Sequence, residues 1–230
     1  MEKADIITQE ELNLILLVDN SYSMVDDRIA QLNDAIPVLK KDLIAVAQEN
    51  DVKLKMRVIA FSDNAVWKVG AVDHGEDIEN VVWENLEVEN ATATSKAIRE
   101  ANKALKKRYL GDHALRPVVV LITDGDCTDP HDEYLAAIEE MKKCLSGKSG
   151  KEKVTRVAIG VKGFNRAELV EFASEGLVMD KMQPLVFPVD EPEHLGKVIN
   201  WVTVTSIYSS ITDDGESPPV IDADPDDWVD

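Results

Sequence analysis

The fold turns on the stretch Leu14-Ile15-Leu16-Leu17-Val18-Asp19-Asn20-Ser21-Tyr22-Ser23. Its apolar run, which begins at Leu12 and is broken only by Asn13, lacks the polar alternation of a half-exposed strand. Such a run predicts a short strand buried on both faces of a parallel sheet. The strand ends in one carboxylate, Asp19, followed by two hydroxyls, Ser21 and Ser23. One loop therefore offers three hard oxygen donors, which suit Mg²⁺, Mn²⁺ or Ca²⁺.

Outward from this stretch, the pattern alternates strand and helix. Asp26 to Gln48 carries Ile29, Leu32, Ile36, Leu39, Leu43, Ile44 and Val46 at helical spacing, with Pro37 inside, where a bend or a late start is expected. Val52 to Phe61 reads as a strand, with Ala65 to Val69 as its hairpin partner through Ser62-Asp63-Asn64. Ala93 to Leu110 has helical periodicity and ends in Lys106-Lys107-Arg108, as a helix C-terminus prefers. Val118 to Ile122 is the most hydrophobic strand. Helices over Glu133 to Leu145 and Arg166 to Ala173 flank a strand over Val154 to Ile159. Val186 and Phe187 precede a last helix from Pro192 to about Ser206. Alternation at these lengths predicts an α/β fold: a doubly wound, mostly parallel central sheet with one antiparallel edge strand and helices on both faces.

Charge divides the chain. The 230 residues carry a formal net charge of −19, and eight acidic residues with no Lys or Arg fall between Ile211 and Asp230. We read residues 1–10 as an N-terminal extension, 11–210 as one domain, and 211–230 as an acidic tail expected to be disordered when free. Ile221 and Trp228 interrupt that tail, which reads either as a solubilising segment or as a short docking motif. The tail's carboxylates could also occupy the metal site of the same or a neighbouring copy. The acidic balance argues against nucleic acid or anionic membrane as a partner. Cys127 and Cys144 stand apart from each other and from His at ligand spacing, so zinc is not expected. With no signal-like N-terminus and no long apolar span, the expected location is the cytoplasm.

In an open parallel sheet, ligands collect beyond the carboxyl ends of the strands. Three loops here put oxygen donors in that position: Asp19, Ser21 and Ser23 in the first, Thr92 of Asn90-Ala91-Thr92-Ala93-Thr94 in the second, and Asp124 of Thr123-Asp124-Gly125-Asp126 in the third. Each is weak alone, since Thr before a helix is a common cap and Asp-Gly a common turn. Together, in this order, they form a specific pattern.

With these motifs the sequence resembles the von Willebrand factor type A family, over about residues 10 to 207, including its metal-ion-dependent adhesion site. The resemblance implies that Ser21 and Ser23 bind the ion directly and that Thr92 does so directly or through water. Asp19 and Asp124 would act mainly through water and by orienting the other ligands. The implied ion is Mg²⁺, with Mn²⁺ or Ca²⁺ as alternatives, and its exchangeable position would accept an Asp or Glu of a protein partner. Two departures from the family pattern stand out: Tyr22 replaces the usual Gly between the serines, and Asn90-Ala91 replaces a Gly-rich approach to Thr92, with Thr94 as a fallback ligand. Asp126 and Asp129 read as backing or solvated residues rather than ligands. Among subgroups, the chain looks like the bacterial tellurite-resistance (TerY-type) proteins, whose relatives accompany a kinase and a phosphatase in stress-response systems.

Rival chemistries lack their residues. A haloacid-dehalogenase-type, Mg²⁺-dependent phosphatase needs a second Asp two residues after its nucleophile, where this chain has Ser21. The glycine motifs of dinucleotide-binding and P-loop proteins and the G-x-S-x-G of serine hydrolases are absent. Gly160-Val161-Lys162-Gly163 reads as a turn, and the four His as surface residues. The expectation is a recognition module rather than an enzyme, with a scaffold carrying a vestigial site as the remaining alternative.

Overall fold

The apolar run Leu12–Val18 becomes the middle of β1 (Glu10–Asp19), where every residue from Leu12 to Asp19 is buried. Our computed structural model describes residues 9–25, 27–124, 127–146, 152–161, 163–178, 180–189, 191, 194–212 and 220–221. β1 pairs in parallel with β2 (Val52–Phe61) on one side and with β5 (Val118–Thr123) on the other. β3 (Ala65–Val69) and the two-residue β4 (Glu76–Asp77) add antiparallel to β2, while β6 (Thr155–Val161) and β9 (Val186–Val189) extend the parallel side. The order β3-β2-β1-β5-β6-β9 has a consequence for function. The chain winds outward from β1 and returns to its other side at β5, so a crevice opens between their carboxyl ends.

Helices cover both faces. α1 (Asp27–Glu49) packs beside α6 (Leu195–Thr212) on one face, and α2 (Thr94–Ala104), α4 (His131–Lys143) and α5 (Arg166–Phe172) cover the other. α1 buries Leu32, Ala35, Ile36, Leu39, Leu43, Val46 and Ala47 along a single stripe. Pro37 neither delays nor ends this helix: it lies on the exposed side, where losing one backbone bond is outweighed by the buried stripe.

The expected helix over Ala93 to Leu110 is two helices. α2 closes with Leu105 N–H donating to Ala101 O, and a short α3 (Lys107–Leu110) follows before Gly111, whose φ of +94° suits glycine. A hairpin of β7 (Glu175–Val178) and β8 (Lys181–Pro184) precedes β9 and was not expected from the sequence.

Of the acidic tail, residues 211 and 212 complete α6, and Val220–Ile221 form β10, parallel to β7. The tail is therefore not wholly without structure. β10, β7 and β8 form a small sheet separate from the main one, and β8 leads through Leu185 into β9. Residues 1–8, Asp126, Lys162 and the other tail positions, Trp228 included, lie outside the described residues. No described helix is long and apolar enough to cross a membrane.

Candidate metal centre

Parallel register sets the site. Val18 faces Ile122 across β1 and β5, so Asp19 and Thr123 emerge side by side at the crevice. The Thr123 hydroxyl donates to Asp19 Oδ2 at 2.6 Å, and Ser21 N–H donates to Asp19 Oδ1 at 2.8 Å. The latter bond curls the loop over its own carboxylate and turns Ser21 and Ser23 to one side, their hydroxyl oxygens 3.0 Å apart. The Ser23 hydroxyl donates to Asp124 Oδ1 at 2.6 Å. Four of the five expected ligands thus form one continuous network drawn from two loops.

Thr92 reaches the same edge by a longer route. The irregular segment before it is clamped along α1: Asn33 accepts from Leu86 N–H at 2.8 Å and donates to Leu86 O at 3.0 Å, while Lys40 donates to Val81 O at 2.6 Å. The segment is then stitched to the first loop. Asn20 Nδ2 donates to Glu87 O at 2.8 Å, Glu89 N–H to Asn20 O at 2.8 Å, and Tyr22 N–H to Asn90 O at 3.1 Å. Finally Ala93 N–H donates to Ser62 O at 2.7 Å, and the Thr128 hydroxyl donates to Thr92 O at 3.0 Å. Thr92 is buried, its backbone is held on both sides, and its hydroxyl makes no hydrogen bond among the described residues.

Other expected participants have different positions. Tyr22 projects, 69% exposed, as its place between the serines suggests. Thr94, the expected fallback ligand, is buried as the first residue of α2. Asp129 accepts from Ser95 N–H at 2.8 Å, capping the start of α2. Asp126 and Gly125 lie outside the described residues. His74 faces Asp73 and Glu76, and His131 faces Glu171; no group of His, Cys, Asp or Glu among the described residues forms a metal cluster.

The electrostatics fit a cation. Asp19 is completely buried, yet both of its hydrogen-bond partners among the described residues are neutral donors. Burial pushes its pKa up from 3.8 to about 6, against the lowering effect of the bonds from Ser21 and Thr123, and nearby Asp124 raises it further. A buried carboxylate whose charge its own bonds do not balance, in one network with the Ser21 and Ser23 hydroxyls and with Thr92 on the adjoining loop, offers hard oxygen donors. Such a set suits Mg²⁺, Mn²⁺ or Ca²⁺ better than softer ions.

One residue that the sequence reading did not single out belongs here. Arg28, in the first turn of α1, donates from Nη1 to Ser23 O at 2.8 Å and to Asp124 Oδ2. A sequence signal existed, because a basic residue in the first turn opposes the helix dipole and calls for a specific partner.

Comparisons agree with this architecture. The von Willebrand factor type A domain profile matches residues 13–200. No curated protein matches the chain in sequence. Among solved structures, a von Willebrand factor type A protein from Catenulispora acidiphila aligns with TM-score 0.59 at 15% identity, covering 86% of this chain and 42% of that one. The ArnB paralog VWA2 from Sulfolobus acidocaldarius aligns with TM-score 0.57 at 17% identity, covering 84% and 45%. Proximal thread matrix protein 1 from the mussel byssus, with a zinc-occupied MIDAS motif, aligns with TM-score 0.55 at 19% identity, covering 85% and 46%. This chain spans less than half the length of each of those three proteins. The sheet order, the helical layers and the profile match lead to one family assignment: the chain belongs to the von Willebrand factor type A domain family.

Proposed function

We propose that this chain is a metal-dependent protein-recognition module rather than an enzyme. Ser21, Ser23 and Thr92 would hold a divalent cation, Mg²⁺ in our reading, with Asp19 and Asp124 behind them. When bound, that cation supplies an open coordination position for an Asp or Glu of a protein partner. The chain's own residues do the rest. Asp19 fixes the Ser21 backbone, Thr123 fixes Asp19, and Asp124 fixes the Ser23 hydroxyl, so the donors are held in place before any ion arrives. Tyr22, exposed between the two serines, adds an aromatic contact beside the metal that a glycine there would not give.

The observation that carries this reading is the single hydrogen-bonded network joining Asp19, Ser21, Ser23 and Asp124 beside the held Thr92. A vestigial site would have no reason to keep a carboxylate buried at an energetic cost. The MIDAS motif of the mussel byssus protein is described as zinc-occupied, which supports divalent-ion binding on this fold. The partner we favour is a kinase or phosphatase of a cytoplasmic, tellurite-resistance-like bacterial stress system, as the Leu-Val-Asp-Asn-Ser-Tyr-Ser-Met motif suggests.

The test is a pull-down with the intact chain and with Ser21→Ala/Ser23→Ala, each in Mg²⁺, in chelator and after Mg²⁺ is restored. Capture that needs both the serines and the ion supports recognition at the site. Capture indifferent to both would favour the scaffold alternative, and turnover of p-nitrophenyl phosphate that requires Asp19 would favour the phosphatase.

A further inference from the structure

The site already contains a cation of its own. Arg28 rises from the first turn of α1, and its Nη1 bridges the Ser23 carbonyl, at 2.8 Å, and Asp124 Oδ2. The Asp124 side chain is fully buried, whereas that of Arg28 is 28% exposed, so the guanidinium sits at the rim and points inward. Asp124 Oδ1 is engaged as well, by the Ser23 hydroxyl at 2.6 Å. Among the described residues, Asp124 and Asp19 are therefore not equivalent: Asp124 is paired with Arg28, and Asp19 meets only neutral donors.

We propose that Arg28 is a built-in counter-cation that holds Asp124 in the metal-free protein and competes with the divalent ion for it. The inference rests on the metal-site reading above. A guanidinium bridging the backing carboxylate of Asp124 and the Ser23 carbonyl would lie within a few ångströms of an ion held by the Ser21 and Ser23 hydroxyls. Two positive charges at that separation repel, and only the guanidinium, on a flexible and partly exposed stem, is able to withdraw. Metal affinity is thereby set lower than the oxygen donors alone would give. The guanidinium also offsets part of the repulsion between Asp124 and Asp19 in the metal-free site.

The experiment is Mn²⁺ titration and thermal unfolding, in chelator and in saturating Mn²⁺, of the intact chain, Arg28→Gln and Arg28→Lys. Competition predicts that Arg28→Gln binds Mn²⁺ about tenfold more tightly, melts lower in chelator, and gains more from the metal than the intact chain does. Arg28→Lys, which keeps the charge and the fold, should stay close to the intact chain. Equal or weaker Mn²⁺ binding by Arg28→Gln, with the intact chain still responding to metal, would overturn the role of Arg28 and leave the site standing. No Mn²⁺ response in any of the three would overturn both readings.

Discussion

Replacing Asp19 by Asn should stabilise the metal-free protein at neutral pH and remove its response to metal. Asp19 is fully buried against two neutral donors, and burial moves its pKa from 3.8 to about 6. Because the folded value lies above the unfolded one, the protonated group contributes stability that is complete below pH 3.8. That contribution is lost as pH rises through about 6. At roughly 1.4 kcal/mol per pKa unit, ionised Asp19 costs the metal-free fold about 3 kcal/mol at pH 7.5. Asn retains an acceptor for Ser21 N–H but presents an amide to the Thr123 hydroxyl, which must turn; that gives back about 1 kcal/mol. The net gain of about 2 kcal/mol corresponds to a rise in Tm of roughly 4–8 °C for a domain of this size. Urea and thermal unfolding in chelator at pH 7.5, 5.5 and 4 would measure it. The advantage should shrink as pH falls and be gone by pH 4, while in saturating Mg²⁺ only the Asp19 form should gain stability. A variant less stable than the parent at pH 7.5 in chelator, or a gap that ignores pH, would show that ionised Asp19 does not destabilise the metal-free fold.

Three further outcomes are expected. Arg57 is wholly buried and donates to Asn13 Oδ1 at 2.6 Å, Tyr109 O at 3.0 Å and Ala71 O at 3.1 Å. Arg57→Met strands those three acceptors and should cost about 3–5 kcal/mol in urea unfolding, whereas a loss under about 1 kcal/mol would contradict the role assigned to it. Asn33→Ala breaks both bonds to the Leu86 backbone and should cost about 2–3 kcal/mol. It should also weaken Mn²⁺ binding, because that clamp guides the segment that delivers Thr92; unchanged affinity would sink the second half. Burial pushes the Cys127 and Cys144 thiols up, so both should react with a thiol reagent at pH 8 more slowly in the folded protein than in denaturant.

Much of the sheet was legible because β1 and β5 are buried on both faces and therefore read as apolar runs. The ligand loops were legible for a related reason, since the donors follow directly where those runs end. What escaped depends on contacts between distant parts of the chain. Asp129 caps α2 from across the site, and no local pattern marks a cap supplied from outside its own helix. Asn33 lies within the apolar stripe of α1, where a polar residue is a visible anomaly whose partner, Leu86, is not visible. The division between α2 and α3 was hidden by continuous helical periodicity, and the β7–β8 hairpin by strands of four residues that include Gly176 and Pro184. Arg28 was hidden because charge at a helix start signals a partner without naming it.

Ser21, Ser23 and their neighbours are proposed to form a working divalent-ion site. Calorimetric titration of the intact chain and of Ser21→Ala/Ser23→Ala with Mg²⁺ and Mn²⁺ tests it most directly. One saturable site is expected in the intact chain and none in the double variant. Binding of equal strength to both proteins, or to neither, would contradict it.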